Sequence, residues 1–125
     1  MNFDKVIAGF FIILAMTLNF GFFYGDMDSL LTHSKYELFA AIIINIIATV
    51  LKLGDKTQMG SVLLATSLVA VIQLVAAAIV WAIASYSYQA DAEIASTVIS
   101  LSGGALLANI TSVILYIGET LKSKR

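Results

Sequence analysis

From Gly60 to Tyr88 the chain runs through Ser61-Val62-Leu63-Leu64 to Val80-Trp81-Ala82-Ile83 without one charged side chain; Lys56 is the last charge before it and Asp91 the first after. About 20 apolar residues cross a hydrocarbon core about 30 Å thick, so this stretch reads as a membrane-spanning helix with some tilt. Water is not its solvent, and the rest of the chain is placed by its distance from this helix.

Three more spans follow from the same reading. Asn2 caps a helix beginning near Asp4 and Lys5, and the uncharged segment from Val6 to Tyr24 forms the first span. It is too long for the apolar core of a cleaved signal peptide, about 7–15 residues, and it ends in bulky Phe20-Gly21-Phe22-Phe23-Tyr24 rather than small residues. Ser34 and Glu37 have capping-box spacing and start a second span over Tyr36 to Leu53, with Lys52 near its far end and able to reach the interface along its aliphatic stem. Gly54, Asp55 and Gln58 supply a helix stop, an N-cap and its capping-box partner, which makes the next turn tight. The fourth span runs from about Ile94 to Ile117, ahead of Glu119 and the basic tail Lys122-Ser123-Lys124-Arg125. The predicted fold is an all-α membrane protein, a single domain over residues 1–125 built as a bundle of four transmembrane helices.

The composition agrees, with 60% hydrophobic and 12% charged residues against about 45–50% and 25% in a typical soluble domain. There is no Cys, which removes disulfides, thiolate metal sites and cysteine nucleophiles, and the net charge of −1 offers no basic surface to nucleic acid. No cofactor is implied.

With both termini on the cytoplasmic side, the inner flanks hold Lys5, Lys52, Lys56, Lys122, Lys124 and Arg125, and the outer flanks only Lys35. The same orientation gathers Tyr24, Tyr36, Trp81, Tyr86 and Tyr88 near the outer interface, where amphipathic rings prefer to lie. This places the chain in a plasma membrane of the bacterial inner-membrane kind. It also collects Asp26, Asp28, Glu37, Asp91 and Glu93 outside, as an acidic mouth that raises local cation concentration or as a plain solvated loop pair. Asp26 and Asp28 with His33 are the candidates there for holding a divalent ion.

Each span carries one amide, Asn19, Asn45, Gln73 and Asn109, and a primary amide in hydrocarbon needs a partner, so these are expected to face the bundle. Ala41, Asn45, Ala48 and Lys52 share a face of span two; Thr66, Ala70, Gln73, Ala77 and Ala84 share one of span three. On span four, Thr97, Ser100, Gly104, Ala108 and Thr111 form a stripe of the same period. Such faces either pack helices closely or line a water-filled path. Asn45, Gln73, Thr97, Ser100, Gly104, Asn109 and Thr111 are therefore the candidate pore-lining or interhelical polar residues.

The run Leu53-Gly54-Asp55-Lys56-Thr57-Gln58-Met59, continued by Gly60-Ser61-Val62-Leu63-Leu64-Ala65, resembles the Glu-x-Gly-Asp-Lys-Thr signature of membrane manganese and calcium cation exchangers. The resemblance implies that Asp55 is a metal ligand and Thr57 a supporting oxygen. Lys52 stands where the motif has its Glu, and the second copy of the motif is absent.

Three functions are compatible with these features. The first is a homo-oligomeric channel or facilitator for small inorganic cations, with membrane lipid around it. The second is an accessory or structural subunit of a membrane complex; the third is a divalent cation exchanger using Asp55. The lone His33 lies in a loop, and no nucleophile, base and orienting group cluster in the sequence, so an enzyme is not expected.

Overall fold

The structure, a computed structural model, describes residues 3–25, 33–53, 58–87 and 92–123. These form four helices, α1 (Phe3–Phe23), α2 (Lys35–Lys52), α3 (Gln58–Ser87) and α4 (Ala92–Ser123), and among the described residues there is no strand. The described part of the chain is all-helical apart from the few residues at the helix ends. Three helices, α1, α3 and α4, are long and apolar enough to cross a membrane. The expectation of four such spans is met only in part, because α2 has 18 residues and includes Lys35, Glu37 and Lys52.

The helix ends follow from local chemistry. Ser34 is extended (φ −88°, ψ 120°) and its hydroxyl accepts the Glu37 amide at 3.3 Å, satisfying one of the orphan donors at the start of α2. The return half of the capping box is not made, because the Glu37 carboxylate lies against Gly21 of α1, where a Cβ would collide with it. After α1 the chain leaves through Gly25 at φ 147°, a backbone region that L side chains rarely adopt. Gly54, Asp55, Lys56 and Thr57 lie outside the described residues, as does Asn2.

Each helix packs on the next in sequence and α4 closes against α1, which gives an antiparallel four-helix bundle. Cross-links fix the directions. Phe22 at the end of α1 meets His33 just before α2, Lys52 at the end of α2 meets the first half of α3, and Tyr116 late in α4 donates to the carbonyl of Lys5 at 2.5 Å. The core is made of small side chains around a few large ones: Ala41, Ala70, Ala77 and Ala105 with Phe22, Leu74 and Val98. Alanines at the contacts bring helix backbones close, which matters in lipid because association there rests on packing and polar contacts rather than on the hydrophobic effect.

Candidate functional site

The buried face of α2 comprises Leu38, Ala41, Asn45, Ala48 and Lys52, spaced three or four residues apart. Lys52 belongs to that stripe in full. It does not extend outward to the interface; it turns into the bundle, 7% exposed, and its ammonium donates to the Ser67 hydroxyl (2.5 Å), the Ser112 hydroxyl (3.1 Å) and the Leu63 carbonyl (3.3 Å). Three N–H groups meet three oxygens on α3 and α4. Thr66 extends the cluster, its Oγ1 lying 2.6 Å from Ser112 Oγ and donating to the Leu63 carbonyl at 2.8 Å.

The acceptors are all neutral, and among the described residues no carboxylate approaches the ammonium. Ser67 is nine residues into α3, which puts the charge about 14 Å from that helix's start at 1.5 Å per residue. A buried ammonium in an apolar helical bundle is costly and is tolerated where hydroxyls and carbonyls replace water. Along α2 alone an outward arrangement, with the ammonium at the interface, would also satisfy Lys52, and the structure corrects that expectation. The available signal was Ser67 and Ser112 on the facing helices, serines with no role in their own helix caps.

The interior amides are less well served. Asn19, Asn45 and Asn109 are buried, at 0%, 0% and 3% exposure. Asn45 donates to the Ala41 carbonyl at 2.7 Å, but among the described residues its Oδ1 has no partner, nor do the two polar atoms of Asn19, Nδ2 of Asn109 and Oε1 of Gln73. Gln73 is half-buried and its amide lies over Gly104 of α4, where any Cβ would strike it. The sequence placed these residues on common faces, and the structure puts Asn45, Gln73, Gly104 and Asn109 within one bundle.

The rest of the α4 stripe lies elsewhere. Thr97, Ser100 and Thr111 are exposed, on the outside of the bundle, while the buried face of α4 is Val98, Ser102, Ala105, Asn109 and Ser112. Thr97 and Thr111 donate to the carbonyls of Glu93 and Leu107 at 3.0 and 2.9 Å, so their hydroxyls are satisfied by their own helix. Gly118 continues the outer face, and nothing stands within 4 Å of where its Cβ would be.

Of the acidic residues expected at the outer mouth, Glu37 is half-buried against Gly21 and Glu93 is exposed at the start of α4. Asp26, Asp28 and Asp91 lie outside the described residues, and so does Asp55, the candidate metal ligand. His33 is buried, and its Nδ1–H donates to the Phe22 carbonyl at 2.6 Å. Among the described residues no group of three His, Cys, Asp or Glu converges as a metal site would require.

Residues 32–120, which hold α2, α3, most of α4 and the whole Lys52 cluster, match the model of a family described as being of unknown function (DUF6394). No curated protein and no solved structure matches the chain.

Proposed function

The chain belongs to this family of unknown function, DUF6394, and from its own residues we propose that it is a four-span membrane protein, both termini cytoplasmic, whose copies assemble into a channel or facilitator for small inorganic cations. α2 joins the spanning set in this reading. It packs between α1 and α3, its Lys52 is satisfied by the bundle, and its other two charges, Lys35 and Glu37, lie in its first turn. Eighteen residues give about 27 Å of helix, close to the hydrocarbon thickness.

The observation that carries the proposal is the outer face of α4. Thr97, Ser100 and Thr111 are exposed on a helix otherwise apolar enough to span, where side chains meeting lipid would be apolar. A positively charged Lys52 in the bundle interior opposes cation passage there. The cation path is therefore assigned between copies, along the hydroxyl-bearing face of α4. Gly118 supports the contact, since an open glycine inside a helix costs about 1 kcal/mol relative to alanine and nothing in its own bundle requires it.

Flux of potassium, sodium, manganese and calcium through the purified protein in liposomes, with and without a proton gradient, tests the proposal. Uncoupled cation flux that falls in Thr111→Val and Ser100→Leu is the expected result. The same face would equally receive a helix of a different membrane protein, so absence of flux from folded protein in vesicles moves the reading to an accessory subunit. Proton-coupled divalent flux lost in Asp55→Asn moves it to the exchanger.

A further inference from the structure

The oxygens that hold Lys52 have the make-up of a small-ion site. Ser67 Oγ, Ser112 Oγ and the Leu63 carbonyl lie 2.5, 3.1 and 3.3 Å from the ammonium, and all three residues are buried. The protons around them are already committed. Thr66 Oγ1 gives its proton to the Leu63 carbonyl, so the contact between Thr66 and Ser112 uses the Ser112 proton, and Ser112 Oγ faces the ammonium with a lone pair. Neutral hydroxyl and carbonyl oxygens converging on one positive charge are what replaces the hydration shell of a monovalent cation in a selective site.

Lys52 reaches these oxygens from the last residue of α2, on a flexible four-carbon arm. The same arm serves an outward arrangement that puts the ammonium in water. The oxygens themselves belong to α3 and α4 and do not depend on the lysine to stay together. Thr66 and Ser112 are bonded to each other across the two helices, and α3 packs more extensively on α4 than on α2.

We infer that Leu63, Ser67 and Ser112, backed by Thr66, form a binding site for a monovalent cation the size of an ammonium ion, such as potassium, and that Lys52 occupies it as a tethered ion which the free cation displaces. Exchanging one unit charge for another at the same oxygens leaves the local balance as it was, whatever lies around them; a divalent ion adds a charge to be compensated. The tether holds the ammonium at high effective concentration, so exchange responds to abundant ions rather than to traces. Displacement frees the end of α2 from α3 and α4, and water entering along the vacated arm completes the shell of the bound ion. The site lies inside each bundle and goes beyond the path between copies on the outer face of α4.

The test is acetylation of the full chain in micelles by a short pulse of an amine-reactive reagent at fixed pH. Peptide mass mapping compares Lys52 with the exposed Lys35, in potassium chloride and in equimolar choline chloride, whose cation is too large for these oxygens. The expected result is Lys52 labelling that grows in proportion to potassium, about tenfold for a tenfold rise above the dissociation constant, and does not grow in choline. Labelling indifferent to potassium overturns the site. So does an equal rise in choline, which means that salt loosens the bundle, or a rise driven by calcium and not by potassium, which means a divalent site. Lys52→Ala leaves the oxygens without their ammonium and is read by denaturant unfolding: potassium raises its folded-to-unfolded ratio in the same proportion, while Lys52→Met, whose side chain fills the space, shows no such dependence. A potassium response as large in Lys52→Met as in Lys52→Ala overturns the assignment to these oxygens. The labelling needs no variant and decides alone if Lys52→Ala does not fold. None of these measurements reads flux, so the channel proposal and this site fail separately.

Discussion

Lys52 and Ser112 are 60 residues apart in sequence and 3.1 Å apart in the bundle, an ammonium at the end of α2 donating to a hydroxyl on α4. The same ammonium also donates to Ser67 of α3, so one charge ties three helices. Breaking a buried charge network by removing a partner is strongly destabilising, whereas replacing the charge by an apolar side chain of similar volume is often neutral. Lys52→Met is therefore expected to unfold within about 1 kcal/mol of wild type or later. Ser112→Ala, which leaves the ammonium one acceptor short, is expected to cost about 1–3 kcal/mol. In a Lys52→Met background the Ser112→Ala cost should drop below that range. Denaturant unfolding in micelles followed by circular dichroism measures all three, and equal Ser112→Ala costs in both backgrounds would show that the serine does not serve the lysine.

Asn19 is fully buried, and among the described residues neither of its polar atoms is paired. A buried amide without a partner costs about 1–3 kcal/mol, so Asn19→Leu, close in volume, is expected to stabilise the bundle by about 1–2 kcal/mol. Thermal unfolding in the same micelles reads the change. Destabilisation instead would mean that Asn19 is paired in the working protein, by water or by another chain.

The fold was legible because its signals are local. Ser34 does cap α2, the boundaries of α1, α2 and α3 fall within a few residues of those read from charge and capping, and the stripe from Ala41 to Lys52 is the buried face of α2. Two features of the candidate site were not legible. A lysine near a span's end has two satisfactory arrangements, outward to water or inward to oxygen, and the choice lies with Ser67 and Ser112 on other helices. On α4, serine, threonine, glycine and alanine occur on both faces, so the period alone could not tell Thr97, Ser100 and Thr111, which face out, from Ser102, Asn109 and Ser112, which face in. The side with Lys52 opposite it became the interior.

The start of α2 gives a small effect of known sign. Ser34→Ala removes the acceptor for the Glu37 amide and is expected to cost about 1 kcal/mol. Ser34→Asp keeps an acceptor there and should restore most of the loss. Should Ser34→Ala leave the unfolding midpoint unchanged, water already serves the first turn of α2.

The outer face of α4 separates stability from assembly. Gly118 has open space around its missing Cβ, so Gly118→Ala is expected to stabilise the isolated bundle by up to about 1 kcal/mol through helix propensity alone. If copies approach along Thr111, Ile114 and Gly118, which lie within two turns on one side, the same methyl enters the interface, and Gly118→Leu excludes the partner helix altogether. Chemical cross-linking in vesicles, beside unfolding of the monomer in micelles, reads both properties from one set of variants. The expected pattern is oligomer lost in Gly118→Leu while the monomer unfolds no earlier than wild type, with Thr111→Val keeping the oligomer and losing flux. Undiminished cross-linking in Gly118→Leu would remove this face from the interface, and with it the assigned path between copies.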